Sequence, residues 1–269
     1  VAEPPIYTLH RGHAPLVVSL PHVGTHVPAA IARRLVPRAA ALEDTDWHLE
    51  AIYAFAKDLG ASVLAATHSR WVIDLNRPPE DTPMYAGVNN TGLVPRTFFS
   101  GEALYRAGTE PEAAEVAQRR ETFWRPYHEA LGAELRRVRE RHGHVVLWEG
   151  HSIRSELPWL FEGTLPHLNL GTAAGAACGV ALRARLQAVL EAQTAFTHVT
   201  DGRFKGGHIT RTRGRPHEGI HAVQMEKCWR CYLDEAAGPP WAIDPVRAAT
   251  LAPVLDALLR ACLEGPPGP

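Results

Sequence analysis

The feature that most narrows the fold is an alternation of short, unbroken apolar runs with longer stretches of helical periodicity. Leu16-Val17-Val18-Ser19-Leu20 reads as a strand buried on both faces. Residues 47–59 place Leu49, Ile52, Tyr53, Ala56 and Leu59 on one helix face, with Gly60 as the stop. Residues 61–66 and 71–75 read as strands, ended by Pro78-Pro79. Pro111 opens a long helix running to about His142; 145–148 is the next strand and 168–170 another. Residues 177–193 are helical, 220–225 form a short strand, and 245–263 form a final amphipathic helix. This order predicts an α/β fold, a three-layer αβα arrangement around a central mixed, mostly parallel sheet covered on both faces. Residues 79–108, rich in Pro, Gly, Asn and Thr, read as a long functional loop or small subdomain. No boundary resembles a linker, so the 269 residues read as one domain. The tail, Gly265-Pro266-Pro267-Gly268-Pro269, cannot be helical.

Composition removes several function classes. A formal net charge of -1, with no block of like charges, offers no basic face for neutralising phosphates, so a small-molecule partner is expected rather than nucleic acid. No apolar run approaches the ~18 residues of a membrane span, and the first residues lack the pattern of a secretory signal. Four cysteines are too few for a disulfide scaffold, which points to a reducing cytoplasm. Cys228-Trp229-Arg230-Cys231 lacks the second pair that a structural zinc site needs and reads as packing. The oligomeric state is not legible. Fifteen histidines make a metal site worth seeking.

Four of the expected strands run directly into polar residues: Pro21-His22-Val23-Gly24, Asn76-Arg77-Pro78-Pro79, Glu149-Gly150-His151-Ser152, and Glu226. Ligands of open α/β sheets bind beyond the carboxyl ends of strands, so a parallel arrangement gathers these groups at one rim. His22 and His151 are the metal-ligand candidates, because imidazole is the commonest ligand and catalytic zinc takes three protein ligands beside water. The third ligand should be a carboxylate from Glu43-Asp44-Thr45-Asp46, although the residues alone favour Asp44 or Asp46 as the cap of a helix that starts near Trp47. Glu149 can orient the His151 ring or end the strand as a surface charge. Asn76 and Arg77 suit a carboxylate clamp, since a planar guanidinium grips a carboxylate with two parallel bonds. Arg70, Arg211 and Arg213 are further cations, of which Arg213 reads as surface charge. Glu226 suits a general base, or alternatively a favourable charge at a helix start.

Read in order, several motifs resemble the N-formylglutamate amidohydrolase (deformylase) family of histidine degradation. They are Ser19-Leu20-Pro21-His22-Val23-Gly24, Asp44-Thr45-Asp46-Trp47-His48, and Ser69-Arg70-Trp71-Val72-Ile73-Asp74-Leu75-Asn76-Arg77-Pro78-Pro79, followed by Thr91-Gly92-Leu93 and Leu104-Tyr105-Arg106. His151-Ser152-Ile153-Arg154-Ser155, Asn169-Leu170-Gly171-Thr172, Gly202-Arg203-Phe204-Lys205-Gly206-Gly207 and His221-Ala222-Val223-Gln224-Met225-Glu226 continue the match, which spans about residues 15 to 235.

The resemblance implies a fold similar to zinc carboxypeptidases and aspartoacylase. It also implies a single divalent metal, zinc by preference, held by His22, Asp46 and His151. Glu226 corresponds to the general base, and Asn76 with Arg77 to the pair on the substrate carboxylates. Arg70 is the leading candidate for the oxyanion and Arg211 a further carboxylate contact. The implied reaction is hydrolysis of N-formyl-L-glutamate. The alternatives are hydrolysis of other N-acyl amino acids, a carboxypeptidase, or a non-catalytic acidic amino acid binder. One departure concerns Glu149, where the pattern leads one to expect Asp; the extra methylene puts its support of His151 in question.

Overall fold

A computed structural model describes residues 3–83 and 89–265. Seven strands form one sheet: β1 (Tyr7–His10), β2 (Leu16–Leu20), β3 (Ser62–Ala66), β4 (Val145–Ile153), β5 (Leu168–Gly171), β6 (His198–Thr200) and β7 (Ile220–Cys228), in the order β1-β3-β2-β4-β7-β5-β6. β3, β2, β4 and β7 run parallel, β1 and β5 pair antiparallel to β3 and β7, and β6 runs parallel to β5. The helices are α1 (Ala29–Ala32), α2 (Leu49–Ile52), α3 (Ala113–Arg119), α4 (Arg125–His142), α5 (Val180–Ala192), α6 (His208–Arg213) and α7 (Pro245–Leu263).

Strand alternation divides the core into two layers. Leu16, Val18, Leu20, Val146 and Trp148 face the side that carries α5 and α7. Val17, Leu64, Val145 and Leu147 face the other side, against Tyr127, Leu131 and Leu135 of α4. Both faces are covered, which is why β2, β3, β4 and β7 are buried at every position and read as continuous apolar runs. On α7, Leu251, Leu255, Leu258 and Leu259 are fully buried, each contributing on the order of 1.5–3 kcal/mol. Asp244 caps that helix through Oδ1, which accepts from Val246 N and Arg247 N at 2.9 and 3.1 Å, and Pro245 occupies its first turn.

The mixed three-layer expectation agrees with this sheet, while several boundaries do not. Residues 71–75 form turns, not a strand: Val72 N bonds back to Ser69 O, and Asp74 N bonds to Leu93 O across the loop. The buried ionic group at Asp74 takes this segment out of a regular ladder. β4 and β7 are longer than expected, so Glu149, His151 and Glu226 lie within strands instead of beyond them. Their parallel pairing runs over nine residues, through Glu149↔Gln224 and His151↔Glu226. The helix expected over 47–59 is broken into α2 and a 3-10 turn at Ala54–Lys57, with His48 left-handed (φ 61) and Tyr53 at φ -101, ψ 12. The expected long helix is α3 and α4 joined by a π-helical turn at Arg120–Trp124. The 177–193 helix begins only at Val180, after an extended Gly179. β1, β6, α1 and α6 lacked a sequence signal. Among the described residues, 79–108 contain no helix or strand, yet Leu93, Val94, Phe98, Phe99, Leu104 and Tyr105 anchor the segment in the core. The expectation for residues 266–269 lies outside the described residues. No described helix is long and apolar enough to cross a membrane.

Candidate metal centre and substrate cleft

Three adjacent parallel strands align the centre. β4 and β7 pair in a register that sets His151 beside Glu226, and Ser19 of β2 beside Glu149. His22 follows β2 by two residues, and its carbonyl accepts from the amide of Asp46 at 3.0 Å. That bond turns the Asp46 carboxylate inward. α2 starts later, at Leu49, without a side-chain cap, so Asp46 does not serve as one. Asp44 is a buried acceptor for Trp71 Nε1 and Phe99 N, at 3.2 and 3.1 Å, and burial pushes its carboxyl up to about 6. Glu43 pairs on the surface with Arg38.

His22, Asp46 and His151 are all buried, and one donor atom from each lies within 4.8 Å of the others. His22 Nε2 donates to Asp74 Oδ1 at 2.8 Å, which leaves Nδ1 as a lone pair. His151 Nε2 donates to Glu149 Oε1 at 2.7 Å, which directs its Nδ1 at Asp46 Oδ2, 3.0 Å away. His22 Nδ1 stands 3.7 Å from that same oxygen. His22 Nδ1 and Asp46 Oδ1 are buried without hydrogen-bond partners. Two imidazole lone pairs converging on a carboxylate are mutually repulsive unless a proton or a cation lies among them. In the bare site the proton does this: burial opposes charge on His151, but Glu149 and Asp46 outweigh burial and carry the ring up to about 10. His22 goes the other way, lowered by burial and by Arg70. Two oriented imidazoles, one carboxylate and orphaned inward atoms are a donor set that fits a divalent metal.

The carboxylates behind the imidazoles are themselves fixed. Glu149 Oε2 accepts from Thr210 Oγ1 at 2.6 Å, so the extra methylene of Glu, far from dislodging the support, lets the carboxylate bridge β4 and α6. Asp74 accepts from Arg70 Nη2 at 2.6 Å and from Asn76 N at 2.9 Å. Burial alone raises the Asp74 carboxyl, but Arg70, Arg77 and His22 reverse this and hold it well below the usual range. Glu226 is different. It is buried, with Oε1 unpartnered, and burial pushes it up to about 7 against the opposing pull of His151. Lys227, next to it and fully buried, donates to His151 O at 2.7 Å and stands over the Tyr53 ring.

A cleft of about 630 Å3, counting solvent at its mouth, opens over this centre. His22, Asp46, Arg70, Asn76, Arg77, His151 and Glu226 all line it. Arg70 is buried with its guanidinium 4.5 Å from the Phe99 ring centroid, and its Nε has no partner. Arg77 bonds Thr91 O, Thr91 Oγ1 and Asn76 O at 2.9, 3.1 and 3.1 Å, which pins the loop while the side chain borders the cleft. Asn76 Oδ1 accepts from Ile209 N, and a Cβ on Gly207 would fall 2.2 Å from Asn76 Nδ2, so only glycine allows that approach. α4 and the π-helical turn before it brace this segment: His128 Nε2 donates to Leu75 O and Trp124 Nε1 to Arg77 O.

Arg211 is not among the lining residues; its Nε bonds Gly206 O. Arg203, which sequence reasoning quoted without a role, does line the cleft, as do Gln224, Leu160 and Phe204. Asp74 and Thr210 were likewise missed as supports. An acid inside the apolar run 71–75 was the available signal for Asp74, whereas nothing local marks Thr210. Arg213 is half-buried and bonds His128 O, so it is not the free surface charge expected. The cysteines are all buried free thiols, and Cys228 and Cys231 contact the carbonyls of Pro166 and His167, which suits packing.

The family profile for N-formylglutamate amidohydrolase matches residues 14–233. An N-formylglutamate deformylase of Pseudomonas putida is 48% identical over 258 residues, covering 96% of both chains. One of Pseudomonas aeruginosa is 48% identical over 259 residues, covering 96% of this chain and 95% of its own. The crystal structure of an N-formylglutamate amidohydrolase from Ralstonia eutropha superposes with a TM-score of 0.79 at 25% identity, covering 95% of this chain and 96% of that one.

Proposed function

The chain belongs to the N-formylglutamate amidohydrolase family, and from that premise we propose that it hydrolyses the N-formyl amide of N-formyl-L-glutamate to formate and L-glutamate. The observation that carries the reading is the buried His22–Asp46–His151 cluster with Glu226 on the adjoining strand, at the floor of a cleft bordered by arginines.

In this reading His22, Asp46 and His151 hold one divalent metal, and the two-imidazole, one-carboxylate set favours zinc. When bound, such an ion polarises the amide carbonyl and lowers the pKa of water. Glu226, with a carboxyl near neutrality, takes the proton of the attacking water and passes it to the amine nitrogen as the C–N bond breaks. Arg70 places a desolvated positive charge toward the oxygen that becomes negative. Its bond to Asp74 keeps it in place.

Asn76 and Arg77 hold one substrate carboxylate. Arg203 is the cation for the second, in the part first given to Arg211. Phe99, Leu160 and Phe204 supply apolar wall and keep water from the reacting bond. A dicarboxylate suits a cleft with arginines on more than one side.

The test is kcat/KM across N-formyl-, N-acetyl- and N-succinyl-L-glutamate, N-formyl-L-alanine and a peptide ending in glutamate. The reading predicts that N-formyl-L-glutamate leads the series. Faster cleavage of the peptide makes the chain a carboxypeptidase. Tight binding without turnover of any member makes it a binding protein.

A further inference from the structure

A second group of ligand-type side chains lies at the edge of the same sheet rim, and none of them lines the cleft. Glu3, His26 and His68 offer donor atoms within 4.8 Å of one another. We propose that these three residues form a second, separate site for a borderline transition-metal ion such as zinc, which fastens the segment before β1 to the edge of the sheet.

Backbone pairing assembles the site. His26 and His68 form a parallel bridge, with His26 N bonded to Thr67 O at 3.0 Å and Ser69 N to His26 O at 2.9 Å. Their rings stand edge to face at 4.9 Å. β1 pairs antiparallel with β3, so residues just before β1 arrive where β3 ends, and Glu3 meets His26 Nε2 there.

The tautomer of His68 follows from the neighbouring hydroxyl. Thr67 Oγ1 donates its single hydrogen to Pro5 O. It can therefore only accept from His68 Nδ1, 2.8 Å away, so His68 carries its proton on Nδ1. Nε2 is left as a bare lone pair on a buried ring. This is the arrangement of a metal-ligating imidazole, whose far nitrogen is tied to an oxygen acceptor. The ring edge at Phe123 holds its plane, with centroids 4.9 Å apart.

Two imidazoles and one carboxylate favour zinc, copper or nickel over magnesium and calcium, which take all-oxygen shells. Donors around a tetrahedral zinc with bonds of about 2.0–2.2 Å sit about 3.3 Å apart. His26 and Glu3 are the more exposed members and are free to close toward buried His68.

The experiment counts zinc bound tightly by the untagged chain, by competition with a chromophoric chelator. Wild type should hold two equivalents, and His26→Ala, His68→Ala and Glu3→Ala one equivalent each. Asp46→Ala should also hold one, and the Asp46→Ala, His68→Ala double variant none. Thr67→Val keeps all three ligands and removes the hydroxyl that sets the tautomer, together with its bond to Pro5 O. It should weaken the second equivalent ~10–100-fold, and Thr67→Ser, which keeps the hydroxyl, should restore it. Glu3→Ala stands in if His68→Ala does not fold, because Glu3 is exposed. Equal stoichiometry in wild type, His26→Ala and Glu3→Ala overturns the proposal. Loss of an equivalent in those variants but not in Asp46→Ala upholds this site while refuting the metal at the cleft.

Discussion

Replacing Glu149 with Gln removes one negative charge from beneath His151 and leaves the shape of the side chain intact. The structure gives Glu149 two bonds, 2.7 Å from His151 Nε2 and 2.6 Å from Thr210 Oγ1, both fully buried. A hydrogen bond to a charged acceptor contributes ~1.5–3 kcal/mol against ~0.5–1.5 for a neutral one. The amide oxygen of Gln can still accept from His151, so the loss is the difference, about 1.4 kcal/mol, or roughly tenfold in metal affinity. Glu149→Ala removes the acceptor altogether and strands a buried imidazole N–H, for ~100-fold. The assay is zinc competition with a chelator, read on the equivalent that Asp46→Ala abolishes, with the melting temperature of metal-free protein as a folding control. Affinities within twofold of wild type for both variants refute the claim that Glu149 makes His151 a ligand.

Other substitutions separate the roles. Glu226→Gln should retain metal and lower kcat ~10²–10⁴-fold; near-wild-type turnover removes Glu226 as the proton carrier. Arg77→Ala should raise KM for N-formyl-L-glutamate ~10–100-fold with a smaller change in kcat, and unchanged kinetics take Arg77 out of the substrate site. His128 is buried with Nε2 donating to Leu75 O and Arg213 against Nδ1, and burial lowers it to about 3. Its neutral form therefore stabilises the fold above pH ~6.5, and that stability is lost as pH falls from there toward 3, at about 1.36 kcal/mol per unit. Denaturant unfolding at pH 7 and pH 5 should show wild type losing ~2 kcal/mol more than His128→Gln across that interval. Parallel losses mean that His128 takes up no extra proton on unfolding.

The layers of the fold were legible because burial on both faces writes itself as continuous apolar runs at 16–20 and 145–148, and because 245–263 keeps an amphipathic helical spacing that starts at a proline. Three of the site's polar residues were legible as positions but not as geometry. Glu149, His151 and Glu226 were expected beyond strand ends, yet they lie inside β4 and β7, whose parallel backbone pairing runs on past the apolar residues. The segment 71–75 misled in the opposite sense: its apolar letters are those of a strand, but a buried Asp74–Arg70 pair fixes it as turns. The residues alone favoured Asp46 as a helix cap over a ligand, and only the tertiary bond from its amide to His22 O decides its orientation. Thr210 and Arg203 come from short or irregular segments whose approach to the centre depends on the whole chain path. Arg211, the cation expected on a substrate carboxylate, is carried off the cleft by α6.

The most direct test of the account is formate release from N-formyl-L-glutamate by purified chain, measured before chelation, after it, and after zinc is restored. The account predicts formate that stops with the chelator and returns with zinc in wild type, and does not return in Asp46→Ala. Formate release that persists undiminished in fully metal-stripped protein contradicts the metal centre at His22, Asp46 and His151. No formate from folded, zinc-loaded protein contradicts the substrate.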